Sequence, residues 1–184
     1  MDRTWKTQRL ALTLLGPGNA AEVRDYGLRS YSFHVVWDPE RPADFWDLPQ
    51  VAERLRQQAA EAERGQSLCL SLTDRKRPDH IIGSVNLRNI IRGALQGCHL
   101  GYALAPDAIG KGYMTEAITE VVRIAFTELG LHRVEANVMP RNARSLAVME
   151  RVGFSEEGLS PRYLRIAGMW EDHIRFGILN DGLS

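Results

Sequence analysis

The residues whose types and spacing are best suited to binding a ligand form a short glycine turn, Gly110-Lys111-Gly112, just before a long amphipathic run. Glycines let consecutive backbone N–H groups point into one concavity, and the dipole of a following helix adds partial positive charge there. Such a turn can bind phosphate, although several N–H groups must act together because each exposed contact contributes only ~0.3–1 kcal/mol. Taken alone, these three residues would describe a plain tight turn.

Two common phosphate-binding motifs are excluded by the residues around this turn. A nucleoside-triphosphate P-loop would need Gly at position 105 and Ser or Thr at position 112, where Ala105 and Gly112 stand. A dinucleotide-binding turn would need a third glycine in place of Thr115 and an early strand–helix–strand unit, whereas this turn follows antiparallel strands. The sequence therefore supports neither a nucleoside triphosphatase nor a dehydrogenase.

The composition is that of an ordinary globular chain, which we expect to form a single domain over residues 1–184. Its 184 residues are 44% hydrophobic and 25% charged, and 23 basic residues balance 23 acidic ones. A chain of this length can bury a large core without disulfides or metal ions to stabilise it. Its neutrality removes the broad positive field of a nonspecific nucleic-acid binder, so we expect no direct nucleic-acid binding.

The cysteines and apolar runs favour a cytoplasmic protein. Cys69 and Cys98 lie in strand-like apolar runs, which predicts free buried thiols in a reducing compartment. The apolar run at 10–15 is too short for a signal peptide or a membrane helix, which needs ~18 apolar residues, so we predict a first strand there. The five histidines show no metal-ligand spacing, and we expect no metal.

Hydrophobic periodicity predicts alternating groups of strands and helices along the chain. The predicted strands cover residues 10–15, 67–73, 80–88, 96–104, 132–139, 162–166 and 173–179. The predicted helices cover 17–29, 51–64, a run from the glycine turn to Gly130, and a run capped by Asn142 that ends at Gly153. Hairpins, then strand–helix–strand–helix, then a last hairpin predict an α+β fold with a mixed sheet.

An aromatic stretch at 31–49, which includes Trp37, is predicted to be an ordered but irregular connection. Its aromatic side chains could line a substrate cleft or cover the core, and the sequence favours neither interpretation.

Several spaced motifs together resemble the GNAT acetyltransferase superfamily. They are the turn in 109–114, Arg133-Val-Glu-Ala-Asn-Val138, Asn142-Ala-Arg-Ser145 and Gly153-Phe154. Segments similar to its RimJ/RimL branch of ribosomal-protein N-terminal acetyltransferases, in the manner of RimJ, are 83–93, 100–104 and 163–173. The resemblance runs through essentially the whole chain, and ordered motifs are more specific than one glycine turn.

The resemblance implies a splayed mixed β-sheet of about seven strands, flanked by helices on both faces, with acetyl-CoA bound where two strands part. The family's pyrophosphate loop maps onto 109–114, where Ile109 replaces Gln or Arg and Met114 replaces Gly or Ala. We expect binding to survive both changes because the loop acts through backbone N–H groups. A backbone N–H of the strand would also face the thioester oxygen, an interaction worth ~3 kcal/mol. The implied acetyl-CoA contacts are Ala103, Leu104, Ala105, Ile109, Gly110, Lys111, Gly112, Tyr113, Met114, Thr115, Asn137, Asn142 and Ser145.

The same resemblance implies a general acid. Many superfamily members carry a tyrosine seven residues beyond the position of Asn142, where this chain has Met149. In RimL-like members, a serine that matches Ser145 protonates the departing thiolate, which makes Ser145 the candidate here. A first-turn serine could also simply bond locally with Asn142, and both roles are compatible.

The general base is less well marked. Members of the branch often carry an acidic residue before the tyrosine that matches Tyr163, but this chain has Arg162 there, and arginine stays protonated. The remaining candidates are His99, Glu116, Asp172 and His173. Of these, we take His99 and Glu116 as the base candidates.

A protein N-terminus is the acceptor that least needs a strong base. An α-amine of pKa ~7.7–8.0 is about one quarter neutral at pH 7.4, whereas lysine of pKa ~10.4 is about 0.1% neutral. We expect an N-acetyltransferase that acts by direct attack on such an amine, with Trp37, Asn86 and Tyr163 contacting the acceptor.

Two other functions stay open from the sequence. One keeps the chemistry but uses a small amine, such as an antibiotic or a polyamine. The other is a non-catalytic acyl-CoA sensor or partner-binding module, consistent with the missing tyrosine and carboxylate. The identity of the acyl group is also open, and we expect no membrane association and a monomer or homodimer.

Overall fold

The structure is a computed structural model that describes residues 3–182. Within these residues there are eight strands and four α-helices. The strands are β1 (Arg3–Lys6), β2 (Leu10–Leu14), β3 (Leu68–Asp74), β4 (Arg77–Ile91), β5 (Gly97–Leu104), β6 (Arg133–Val138), β7 (Ser155–Ile166) and β8 (Met169–Leu179). The helices are α1 (Ala20–His34), α2 (Leu48–Glu63), α3 (Tyr113–Thr127) and α4 (Ala143–Val152).

All eight strands form one sheet, in the order β1-β2-β3-β4-β5-β6-β8-β7. Neighbouring strands are antiparallel except for β5 and β6, which are the one parallel pair among the described strands. A parallel pair requires a crossover, and α3 supplies it between β5 and β6.

The sheet opens between β5 and β6. Their pairing runs from Gly97 opposite Arg133 to Leu100 opposite Ala136 and ends there. Strand β5 nevertheless continues to Leu104, held only by β4 on its other edge. Residues 101–104 therefore present one strand edge to the gap.

Helices cover both faces of the sheet. Ile82 belongs to the main core together with Ile118 of α3, whereas Ile81 packs with Tyr26 of α1 in a separate cluster. Adjacent strand residues point to opposite faces, so α1 and α3 lie on different sides. Helix α2 packs beside α1, and α4 packs beside α3. The predicted α+β fold with a splayed mixed sheet is confirmed.

The structure adds one strand and moves several predicted boundaries, two of them by five residues or more. Strand β1 (Arg3–Lys6) makes eight strands rather than about seven, and its four residues are too few and too exposed to show an apolar alternation. Helix α1 runs to His34 instead of 29, so only 35–47 remains irregular. Strand β7 begins at Ser155, well before the predicted residue 162. The prediction missed its first half because this outer strand is mostly exposed and lacks an apolar face.

Candidate active site

The glycine turn has the geometry of an anion-binding loop. Gly110 and Gly112 have φ angles of 78° and 75°, values that favour glycine, and α3 begins immediately afterwards at Tyr113. Gly112 caps the helix without a side chain, so no side-chain oxygen satisfies the first N–H groups of α3. Those N–H groups lie at the start of a 15-residue helix and can donate hydrogen bonds to a phosphate.

Arg9, in the turn between β1 and β2, holds the loop in place. Its Nη1 donates to the Lys111 carbonyl at 2.7 Å, and its Nε donates to Glu116 at 2.6 Å. Its guanidinium carbon also lies 4.7 Å from the centroid of the Tyr113 ring. The Tyr113 hydroxyl donates to Asp74 at 2.7 Å, which ties the start of α3 to the sheet. Loop and sheet edge are therefore joined independently of any ligand.

The two departures from the family's loop pattern leave its backbone intact. Met114 is 6% exposed and belongs to the main core. Ile109 is half-buried at the entrance to the loop. Neither residue adds a charge, and neither removes a backbone N–H group.

The open edge of β5 leads directly into this loop. Ala103 and Leu104 lie on the unpaired length of the strand, and Asn137 is the first residue of β6 beyond its last pair with β5. Ala105 follows, but its N–H donates to Ile82 and its carbonyl accepts from Ala108. Its backbone groups are thus already used within the protein.

The remaining predicted cofactor residues lie along the same path. The Leu104 carbonyl accepts from His34 Nε2 at 3.0 Å, which anchors the end of α1 over the gap. The predicted contacts group into the strand edge, the loop and the two sides of the opening: Ala103, Leu104, Ile109, Gly110, Lys111, Gly112, Tyr113, Met114, Thr115, Asn137, Asn142 and Ser145.

Ser145 lies in the first turn of α4, where Asn142 caps the helix. The Ser145 N–H donates to Asn142 Oδ1 at 3.2 Å, so the predicted cap is present. The Ser145 hydroxyl is used separately, since its Oγ lies 2.5 Å from the hydroxyl of Tyr102 on β5. Capping and a chemical role of Ser145 therefore involve different atoms.

Tyr102 is the residue of this site that sequence reasoning missed. Burial raises the pKa of Tyr102 to about 12, against a smaller opposing effect of the Ser145 hydrogen bond, so the phenol stays protonated near neutrality. The sequence feature that could have identified Tyr102 is its position in the middle of the segment 100–104, which resembles the RimJ/RimL branch. Met149, in the position of the usual tyrosine, is fully buried in the core and reaches no site.

The base candidate His99 has its side chain on the face of β5 opposite that of Tyr102. His99 and Tyr102 are three residues apart on the strand, so their side chains point to different sides of the sheet. His99 Nε2 lies 3.4 Å from Glu135 on β6, while its buried Nδ1 has no hydrogen-bond partner among residues 3–182. Asn86 pairs with Gly101, the first residue of the open edge, and shares the His99 face.

Glu116 is directed away from the opening, toward the β1–β2 turn. It accepts hydrogen bonds from the Thr7 hydroxyl at 2.5 Å and from the Arg9 backbone N–H at 2.8 Å, besides its ion pair with Arg9. Burial alone would raise the pKa of Glu116, but the hydrogen bonds from Thr7 and Arg9 outweigh it and lower the pKa. The geometry gives this carboxylate a structural role.

The other two predicted acceptor contacts, Trp37 and Tyr163, lie outside β5 and β6. Trp37 follows α1, and the guanidinium carbon of Arg141 lies 5.0 Å from its ring centroid. Arg141 also donates to Glu171 of β8 at 2.7 Å, which links the 35–47 connection to the last hairpin. Tyr163 on β7 packs edge-on against buried His173, with ring centroids 6.0 Å apart.

A groove runs between the 35–47 connection and the β7–β8 turn. The Ala167 N–H donates to the Asp38 carbonyl at 3.0 Å, which joins the two walls. The groove has a volume of about 560 Å³ and is lined by Tyr31, Val35, Arg41 and Ala167, among others.

The two thiols are buried, and the described residues contain no metal-ligand cluster. Cys69 and Cys98 are free and buried, as predicted, and burial raises both thiol pKa values, that of Cys98 to about 12. Within residues 3–182, no three His, Cys, Asp or Glu residues are grouped so as to hold a metal ion. No helix of the described chain is both long and apolar enough to cross a membrane.

Comparison with known proteins identifies the family. Residues 14–155 match the family model described as the acetyltransferase (GNAT) domain, so the chain belongs to the GNAT acetyltransferases. It is 34% identical over 170 residues to the ribosomal protein uS5-alanine N-acetyltransferase of Escherichia coli, covering 91% of this chain and 86% of that protein.

Solved structures agree in fold. The ribosomal-protein-S5-alanine acetyltransferase of Vibrio fischeri superposes with a TM-score of 0.94 at 30% identity, covering 100% of both chains. RimJ of Mycobacterium smegmatis, solved in complex with CoA-disulfide, superposes with a TM-score of 0.87 at 30% identity, covering 95% of this chain and 83% of that one. The predicted membership, the acetyl-CoA co-substrate and N-acetyltransferase activity are confirmed.

The positive φ of Gly112 allows a test of the loop. In Gly112→Val, we expect CoA affinity to fall about tenfold or more, because the side chain disturbs the N–H groups beside Arg9. Gly65→Val is the control, since Gly65 has a φ of 66° in open space after α2. Both variants should lose ~1–2 kcal/mol of stability. Equal calorimetric affinities for CoA in wild type and both variants would contradict the loop assignment.

The lowered pKa of Glu116 predicts a pH-dependent contribution to stability. A carboxylate whose pKa is lower in the folded state stabilises the fold above its unfolded pKa of ~4.3, and this contribution disappears as the pH falls through the folded pKa. Glu116→Gln should therefore cost ~2 kcal/mol at pH 7 and progressively less below pH ~4 in urea unfolding.

A matched control separates this effect from a general loss of charge. Glu53→Gln removes an exposed ion pair with Arg56 on α2 and should change stability by less than ~0.5 kcal/mol. A cost for Glu116→Gln that stays constant from pH 7 to pH 3 would refute the ionised role of Glu116.

Proposed function

We propose that this chain transfers the acetyl group of acetyl-CoA to the α-amine at the N-terminus of a ribosomal protein. The observation that carries the proposal is the open edge of β5, which runs from the Ser145–Tyr102 pair to the glycine loop. The acceptor class is supported by the relatives, whose names identify ribosomal-protein alanine acetyltransferases. A ribosomal acceptor also implies a cytoplasmic location.

The fit of acetyl-CoA rests on two features of the backbone. The unpaired edge at residues 101–104 offers strand-type hydrogen bonds to an amide-containing arm, and the first N–H groups of α3 suit its pyrophosphate. Acetyl-CoA supplies an activated acyl group. A backbone N–H of the open edge would stabilise the negative charge that develops on the acyl oxygen.

Ser145 is assigned to the departing thiolate. Its hydroxyl is oriented by Tyr102 at 2.5 Å, and the raised pKa of Tyr102 keeps that partner neutral. Ser145 can therefore give its proton to the sulfur and regain one from solvent, while the amine loses its own proton on the acceptor side.

The acceptor side needs only a modest base. His99 and Asn86 share the face of β5 opposite Ser145, close to Gly101 where the edge opens. His99 or water can take the proton of an α-amine, since about one quarter of such amines is already neutral at pH 7.4. Glu116 takes no part, because it is held by Arg9 and Thr7.

Peptide acetylation tests this proposal. A peptide with a free N-terminal alanine should release CoA thiol and gain an acetyl group at its α-amine, located by fragmentation mass spectrometry. The same peptide with a blocked N-terminus and one lysine should react at least ~100-fold more slowly at pH 7.4. Preference for the blocked peptide, or turnover with spermidine alone, would overturn the proposal, as would tight acetyl-CoA binding with no turnover.

Ser145→Ala tests the assigned acid. We expect kcat on the alanine peptide to fall ~10²–10⁴-fold with little change in acetyl-CoA affinity, because the thiolate then leaves without a proton donor. Ser155→Ala, at the exposed start of β7, is the control and should leave kcat unchanged. An unaltered kcat in Ser145→Ala would remove the serine from the mechanism.

A further inference from the structure

Two arginine side chains stack on the ring of Phe45, beside the groove between the 35–47 connection and the β7–β8 turn. The guanidinium carbon of Arg54, on α2, lies 4.0 Å from the ring centroid, and that of Arg41 lies 4.3 Å from it. Arg54 Nη1 also donates to the Phe45 carbonyl at 3.1 Å. Both guanidiniums are therefore fixed in orientation, with most of their donor groups still available.

Arg54 lacks a counter-charge. In the part of the chain that the structure describes, no carboxylate oxygen lies within 4 Å of Arg54 or Arg88, and the Phe45 carbonyl is the single hydrogen-bond partner of the Arg54 side chain. Burial, together with the charges of Arg41 and Arg88, lowers the pKa of Arg54. A half-buried cation beside two others is destabilising unless an anion joins them.

The acidic residues of the groove are already engaged. Asp38 accepts from Arg41 at 2.6 Å, and Glu40 lies 3.6 Å from Arg165 at the end of β7. Each of these ion pairs is electrically neutral, so the excess positive charge belongs to Arg54 and Arg88.

The excess charge lies near the reaction centre. Arg88 is directly opposite His99 in the β4–β5 pairing, and Asn86, two residues earlier, is opposite Gly101 at the opening. Two residues of a strand span ~7 Å and point to one face, so Arg88 shares the acceptor face. An extended peptide covers ~3.4 Å per residue. A peptide whose α-amine reaches the opening and whose chain then runs along β4 toward Arg88 thus brings one of its next three side chains to Arg88.

From this arrangement we infer that Arg54 and Arg88 bind a carboxylate side chain within the first four residues of the acceptor, with Arg41 completing the site from the groove side. This inference rests on the proposed function. Guanidinium groups match carboxylates in a planar, two-bond geometry, which would select acidic acceptors over neutral ones of the same shape.

Paired peptides test the inference. Peptides that begin with alanine and carry Glu or Gln at position 2, 3 or 4 differ by one charge each. We expect at least one Glu peptide to exceed its Gln partner about tenfold in kcat/KM, mainly through KM, and this preference to shrink as ionic strength rises from ~0.05 to ~0.5 M. Equal values for all three pairs would overturn the inference while leaving the proposed function intact. Acetylation of no peptide would overturn both.

Variants assign the preference to these arginines. Arg54→Gln and Arg88→Gln should each remove most of the Glu preference yet keep the rate on Gln peptides within about threefold, because the lost contact is with the carboxylate. Arg56→Gln, two positions from Arg54 and exposed, is the control and should retain the full preference.

A reversal experiment covers the case in which half-buried Arg54 is needed for folding. Arg88 is exposed, so Arg88→Glu should fold, and it should abolish the Glu preference because the new carboxylate would pair with Arg54. A Glu preference that persists in both Arg88 variants would exclude Arg88 and refute the inference as stated.

Discussion

The site depends on one constraint, the end of pairing between β5 and β6 after Leu100 and Ala136. Beyond that point β4 is the one described strand that pairs with Gly101–Leu104, and His34 adds a hydrogen bond to the Leu104 carbonyl. A strand edge left open inside a sheet carries unpaired N–H and carbonyl groups that are costly unless water or a ligand satisfies them. Under the proposed function, the amide-containing arm of the cofactor satisfies these groups.

The alternation of side chains along β5 divides the chemistry between two faces. Tyr102 points to the side of α4, where it contacts Ser145, while His99 and Gly101 belong to the other face with Asn86. Under the proposed mechanism, the leaving thiolate and the incoming amine are therefore served by opposite sides of one strand. The same geometry places Arg88 on the acceptor side, which connects selectivity to the sheet register.

Departures from the family pattern are absorbed by packing. The side chains of Met149 and Met114 both pack in the main core. Glu116, at the start of α3, engages Arg9 and so fixes the loop to the β1–β2 turn. The chain keeps the backbone features of the site while changing the side chains around them.

The sequence alone determined what local patterns encode. Periodicity located most strands and helices, and both the Asn142 cap and the glycine turn were recognisable from their own residues, because these features depend on positions close together in the chain. Short or polar strands such as β1 were not predicted, because they lack such a hydrophobic pattern.

Contacts between distant residues were decided by the tertiary structure. The Ser145–Tyr102 contact joins residues 43 positions apart, and Glu116 meets Arg9 across 107 positions. The meeting of Arg54 with Arg41 on Phe45 likewise depends on how α2 packs beside its preceding loop. Only tertiary structure decided these contacts, because strand register and helix packing, rather than local spacing, bring distant side chains together.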